Sequence, residues 1–317
     1  MSLGLCCQFL EPRTKRDLSI VYENSINEQS MQLGKYKEGA YPLHYIKSVY
    51  HNNVDEIIRV IPKLIQNNIK CFRLSSNLFP LWEFNNHIIK EDAVLIQKLN
   101  HCGHLFKSHN IRVTTHPGQF TVLSSDNPQV IQNSIVELDY HAWVFDQFNL
   151  SHSPYNAINI HGGKGDRSAK LIQSILALPH HIKSRLTLEN DETCYNITDL
   201  LFIHKETGVP VCFDSHHHSF NNNGLSHHDA FHQALSTWKD TGAKPLQHIS
   251  NTIPGQENGS YTARRKHSDY IHHIPLEQYT ALVNDSIDLE VEAKMKNLAV
   301  IHLQQNLDAI SLSTNTI

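Results

Sequence analysis

RLTLEN (185–190) and VPVCFDS (209–215) are the stretches from which the fold is read. In each, apolar and polar residues alternate with period two, the pattern of a strand whose two faces meet different surroundings. Leu186 and Leu188 share one face, Thr187 and Glu189 the other. Val211 and Phe213 face away from Cys212 and Asp214. Each run is short, carries a carboxylate near its C-terminal end, and is followed by a stretch of helical pattern.

The same unit recurs in both directions along the chain. Strand-like runs are expected at 3–8, 70–77, 111–116, 156–161, 244–249 and 287–293. Stretches of mostly helical pattern, such as 51–67, 88–109, 127–150, 166–178, 196–206 and 226–240, lie between the runs. Eight alternations of strand and helix predict an α/β protein, a (β/α)8 TIM barrel occupying residues 1–317 as one domain. Local signals agree. Asn127-Pro128 fits an N-cap with proline at the first helical position, Asn196 caps the run ITDLLFIHKE, and Gly208 suits its C-terminal stop. Residues 250–268 form the longest irregular stretch, and a long loop after a barrel strand is usually functional. The polar tail after about residue 308 is expected to fray.

Composition narrows the class. The chain of 317 residues has 40% hydrophobic and 18% charged residues, an ordinary globular balance. Its net charge of -4 is unlike that of a generic basic nucleic-acid-binding domain, so any such contact must use local positive charge. The six cysteines make no CxxC pattern and read as reduced thiols of a cytoplasmic protein. No signal-peptide layout or membrane span is visible. Histidine is the outlier, 24 against 27 Lys+Arg. Most of these, the doublets included, are read as surface residues, but the excess favours metal chemistry.

Strand parity shows where that chemistry would sit. Ile158 and Ile160 pair off from Asn159 and His161; Leu289, Val291 and Ala293 from Glu290 and Glu292; Val113 opposes Thr114 and His116; Ile249 opposes His248. With the apolar face against the helices, the axis-facing residues at six strand ends are His116, His161, Glu189, Asp214, His248 and Glu292. Those ends form the rim on which barrel active sites are built. Carboxylates and imidazoles so crowded would repel or go unpaired unless metal ions neutralised them. The competing readings are a hydrogen-bonded polar plug and a site of general acid/base residues without metal. Ligands of this kind, without cysteine, suit divalent ions such as Mn²⁺, Zn²⁺, Co²⁺ or Fe²⁺. Cys212, one pleat below Asp214, reads as a small buried residue.

These residues lie in a series of motifs: FRLSSNLFP (72–80), THPGQF (115–120), HGG (161–163), LEND (188–191), VPVCFDSHHH (209–218), HIS (248–250), HSDYI (267–271) and VEAK (291–294). Together they resemble the UV-damage endonucleases (UvdE/UvsE), relatives of the endonuclease IV barrels, from about residue 3 to 300. The resemblance implies a metal-dependent endonuclease of DNA repair that cuts the damaged strand immediately 5′ to the lesion and leaves a 3′-hydroxyl. It implies two or three divalent ions, Mn²⁺ foremost, with Zn²⁺, Co²⁺ or Mg²⁺ as alternatives. His116 and His161 would complete one site and Asp214, His248 and Glu292 a second, with Glu189 bridging. His217 and His267 would serve a third. Glu189, His116 and Asp214 are the expected catalytic centre. Two departures stand out. Where the family has a modifiable lysine two residues before the HIS histidine, this chain has Leu246, with Lys244 further back on the same face. Its HPGQF replaces HPGQY, keeping the ring of Phe120 and losing the hydroxyl.

The expected partner is damaged double-stranded DNA, bound by a monomer with no protein partner. Gln119 and Phe120, after the Pro117-Gly118 turn, would wedge into the duplex, since distorted DNA costs less to open. Lys164, Arg167, Lys170, Arg264, Arg265 and Lys266 would meet backbone phosphates. Gly162 and Gly163 beside Lys164 would let backbone approach a phosphate closely. Arg73 reads as a partner of the carboxylates or as a phosphate ligand. Tyr195 is open between packing and substrate contact. The alternatives are a metal-dependent sugar isomerase on the same barrel and a non-catalytic damaged-DNA-binding protein.

Overall fold

The computed structural model describes residues 1–15 and 17–314, with side chains through 309. Eight parallel strands close into a barrel: β1 (Ser2–Cys6), β4 (Cys71–Leu74), β5 (Arg112–Thr115), β6 (Ile158–His161), β7 (Leu186–Glu189), β8 (Val211–Asp214), β9 (Leu246–Ile249) and β10 (Asp288–Val291). Each follows its predecessor around the ring, and β10 closes onto β1. The expected barrel is thus found, each strand starting and stopping inside the range read from the sequence or within a residue of it.

A further pair, β2 (Leu10–Thr14) and β3 (Ile20–Asn24), forms an antiparallel hairpin outside the barrel. The sequence reading missed it for a physical reason. Its residues are almost all exposed, so no buried face imposes an alternation, and Pro12 stands in the middle of one strand.

The helices follow their signals. Asn127 accepts from the Gln129 N–H, with Pro128 opening the helix Pro128–Gln147. Asn196 and Asp199 form a reciprocal capping box at Ile197–Thr207, which ends on Gly208 with a φ of 75°. The stretch 88–109, read as one helix, is two, Trp82–Glu91 and Ala93–Ser108. Asp92 leaves helical geometry to cap the second, its side chain accepting from Leu95 N–H. A last helix, Lys296–Thr314, covers the start of the tail expected to fray; the rest of that tail, 315–317, lies outside the described residues. The loop 250–268 holds one short turn of helix, Tyr261–Arg264, and is pinned at its base by a Thr252–His267 bridge.

The strand faces divide as their alternation requires. Leu186, Leu188, Val211, Phe213, Leu289 and Val291 are buried in the main core. The opposite faces fill the barrel axis with polar groups and with a small apolar cluster that includes Cys71, Cys212 and Leu246. At the floor the Arg112 guanidinium is nearly sealed from solvent. It donates to Asp288 at 2.8 Å and to the carbonyls of Tyr155, Pro154 and Lys244. A buried charge so fully paired can be held there. Higher up, Thr114 and Glu290 occupy the axis, and above them the rim carries the candidate site.

Candidate metal centre

Glu189, the last residue of β7, is buried at the centre of the rim. Its Oε2 accepts from Asn159 Nδ2 at 2.5 Å and lies 3.2 Å from His116 Nε2. Its Oε1 lies 3.1 Å from His248 Nδ1 and 3.3 Å from His217 Nδ1. Burial pushes the carboxyl up, but His248 foremost, with His161 and the bonds from His116 and His217, outweighs it. The group is held well below the usual carboxylate range and stays ionised.

Three sets of ligand atoms meet at this one carboxylate: His116, His161 and Glu189; Glu189, His248 and Glu292; Glu189, Asp214 and His217. Seven of the eight expected metal ligands are therefore drawn into one cluster. The grouping differs from that expected in one respect. Asp214 stands with His217, not with His248 and Glu292, because it caps the short turn Ser215–His218. There Asp214 Oδ1 accepts from the His217 N–H at 2.8 Å, which draws the two together. His267, the eighth, lies 3.8 Å from Glu292 and belongs to none of the three sets. Leu246, in the departed lysine position, is fully buried in a small apolar cluster with Cys71, Ala157, Cys212 and Trp238.

The residues fit a bound cation. His161 Nδ1 and Asp214 Oδ2 are buried and have no protein partner. An orphaned buried polar atom costs about 1–3 kcal/mol, and cations held by their respective ligand sets would satisfy both. Burial, the largest influence on His161, lowers its pKa, which favours the neutral imidazole that a metal requires. A cavity of about 370 Å³ opens over the cluster, with Arg73, Cys7 and Ser75 on its walls.

Arg73 is itself buried. Its guanidinium spans Glu290 and Glu292 at 2.6 Å each, so its first role is to balance these carboxylates.

The expected DNA-contacting residues occupy the loops around this rim. Gln119 and Phe120 are exposed on a turn closed by Thr121 N–H to Gly118 O at 2.9 Å. Phe120, 83% exposed, is no packed core ring. Lys164, Arg167 and Lys170 converge on one carboxylate, Asp126, at 2.5, 3.1 and 2.9 Å. Arg265 pairs with Glu192 and Arg264 stacks on the Phe220 ring, whereas Lys266 is exposed and makes no ion pair among the described residues. Tyr195 is buried and its hydroxyl donates to Lys164 O at 2.8 Å. Gly162 serves that ring: a Cβ there would meet Tyr195 Cδ2 at 2.4 Å.

A family model described as UV-endonuclease UvdE matches residues 18–316. The chain belongs to the UvdE family. A UV DNA damage endonuclease of Nostoc sp. is 36% identical over 269 residues, covering 82% of this chain and 79% of that protein. One from Bacillus mycoides is 32% identical, covering 81% of each. The crystal structure of SacUVDE superposes with a TM-score of 0.78 at 27% identity, over 98% of this chain and 99% of that one. Endonuclease IV from Thermus thermophilus shares the fold, with a TM-score of 0.55 at 11% identity. In this UvdE-family barrel, all six cysteines are free, and no helix among the described residues is long and apolar enough to cross a membrane.

Sequence reasoning missed the groups that hold the ligands. Asn159 fixes Glu189, and Thr187 Oγ1 in turn donates to Asn159 at 2.7 Å. Asn190 braces Asp214 with two backbone bonds of 2.9 Å. Glu290 was visible only as an axis-facing residue of β10. The parity that singled out the ligands also marked Asn159, Thr187 and Glu290, but only three-dimensional contact separates a ligand from its support.

Proposed function

We propose that this UvdE-family endonuclease nicks UV-damaged duplex DNA immediately 5′ to the lesion by metal-dependent hydrolysis and leaves a 3′-hydroxyl. The observation that carries the reading is the convergence of three ligand sets on the single buried carboxylate of Glu189. His116 and His161 would hold one ion with Glu189, His248 and Glu292 a second, and Asp214 and His217 would offer a third position. Divalent ions there would lower the pKa of a water and relieve the charge on the phosphate. Oxygen and nitrogen ligands without sulfur suit Mn²⁺, Zn²⁺, Co²⁺ or Mg²⁺, and the family resemblance puts Mn²⁺ first.

The chain's own residues do the positioning. Glu189, His116 and Asp214 form the catalytic centre, and the Asn159 amide keeps Glu189 turned toward His116. Phe120, with Gln119 beside it, is free to enter a duplex whose stacking a lesion has weakened. Lys164, Arg167 and Lys170, with Arg264, Arg265 and Lys266 across the rim, draw in backbone phosphates despite the net charge of -4. The enzyme acts as a monomer on the DNA of the cytoplasmic nucleoid.

The test is to map the cut. A polymerase-extendable 3′ end at the nucleotide just 5′ to a photoproduct supports the reading. A blocked 3′ end, or a cut elsewhere, refutes it.

A further inference from the structure

Glu290 stands one pleat below the ligand layer, on the axis-facing side of β10, and is fully buried. Four side chains converge on it. Its Oε2 accepts from Arg73 Nε at 2.6 Å and lies 3.1 Å from His248 Nε2. Its Oε1 accepts from Thr114 Oγ1 and, at 3.5 Å, from Cys71 Sγ. The neighbouring strand makes room for it: Gly4 pairs with Glu290 across β1 and β10, and a Cβ on Gly4 would meet Glu290 Cγ at 2.8 Å. A buried carboxylate is costly unless paired, and here a strand position and four donors are given over to this one.

The two nitrogens of His248 face different neighbours. Nε2 faces Glu290. Nδ1 faces Glu189 Oε1 at 3.1 Å and Glu292 Oε1 at 3.4 Å. Arg73 Nη2 lies 3.2 and 3.0 Å from Nδ1 and Nε2, and so does not choose between them. An ionised carboxylate only accepts, so Nε2 carries a proton beside Glu290, and Nδ1 carries one beside Glu189 and Glu292 until a cation takes its place. A carboxylate that takes one ring N–H fixes the other nitrogen as the ligand.

We propose that Glu290 is a positioning residue of the metal centre. It accepts the Nε2–H of His248 and so presents Nδ1 to the ion shared with Glu189 and Glu292. Through Arg73, which bonds Glu290 with Nε and Glu292 with Nη2, it also aims the Glu292 carboxylate. The inference rests on the metal reading of the rim.

Two measurements test it. In Zn²⁺-loaded protein labelled with ¹⁵N-histidine, His248 should show a ligated Nδ1 and a protonated Nε2. In a Mn²⁺ titration followed by electron paramagnetic resonance, E290Q should weaken one class of site by about 10–100-fold and leave the His116–His161 class unchanged. The Gln amide can donate to Nε2 and so permits the opposite tautomer. Ligation through Nε2 in the wild type, or an E290Q isotherm equal to that of the wild type, overturns the inference. Should E290Q fail to fold, the wild-type spectrum alone decides. A wild type that binds no Mn²⁺ overturns the metal centre itself, and this inference with it. A wild type that binds normally beside an unaltered E290Q removes only the role of Glu290.

Discussion

Asn159 and His116 address the same atom: the Asn159 amide donates to Glu189 Oε2 at 2.5 Å, and His116 Nε2 lies 3.2 Å from it. The amide comes from β6 and the carboxylate from β7, hydrogen-bonded neighbours in the barrel, so strand pairing itself sets the orientation of Glu189. Asn159→Ala should lower the incision rate at saturating Mn²⁺ by about 10–100-fold, the usual cost of losing a support of a ligand. Circular dichroism should show the fold intact. An unchanged rate would mean that the barrel wall alone orients Glu189.

Glu189→Gln removes the one anion common to all three ligand sets. Nicking should be abolished, and the Mn²⁺ stoichiometry should fall in an equilibrium titration. Near-wild-type activity would dismiss Glu189 as the bridging group.

Phe120 lies 83% exposed at the tip of its turn and touches none of the ligand sets. Phe120→Ala should therefore leave metal binding intact and reduce the preference for damaged over undamaged duplex. If the variant loses metal, or discriminates as the wild type does, the wedge role is wrong.

Asp126 is the shared counter-ion of Lys164, Arg167 and Lys170. Asp126→Asn removes one negative charge from among the three cations, which leaves about one more positive charge for phosphate. DNA affinity should rise, and the slope of log K against log salt should steepen by about one unit. Fluorescence anisotropy on an undamaged duplex at several salt concentrations measures both. An unaltered slope would place this cluster off the DNA path.

Acid should unfold the metal-free protein through Glu290 and Glu292. Burial pushes both carboxyls up, but Arg73 foremost, helped by His248, holds them below the usual carboxylate range. The stability they contribute is complete above the unfolded value of about 4.3. It is lost as pH falls through the lower folded values. Arg73→Met leaves the buried Glu290 and the half-buried Glu292 without their cation. It should cost about 3–5 kcal/mol and move the acid midpoint to higher pH in a titration followed by circular dichroism. A midpoint at the wild-type pH would contradict this pairing.

The barrel and its ligand face were legible because strand parity is a local property. Leu188 and Glu189 must point to opposite sides whatever the rest of the chain does, and six such strand ends in register identify a rim. What parity does not carry is distance across the barrel. Asp214 falls in with His217 because of a helix cap, and Glu290 supports His248 although both satisfy the same alternation. The hairpin strands Leu10–Thr14 and Ile20–Asn24 left no trace because their side chains are almost all exposed. The convergence of three cations on Asp126 spans some forty residues of sequence, with no periodicity to reveal it.

The most direct measurement is incision of an end-labelled duplex carrying one UV photoproduct, beside an undamaged control, with Mn²⁺ and with chelator. As a UvdE-family endonuclease, the protein should make a single cut immediately 5′ to the lesion with Mn²⁺, none with chelator and none in the control. A folded, metal-loaded protein that leaves the damaged strand whole, or cuts it equally well with chelator present, would contradict the account.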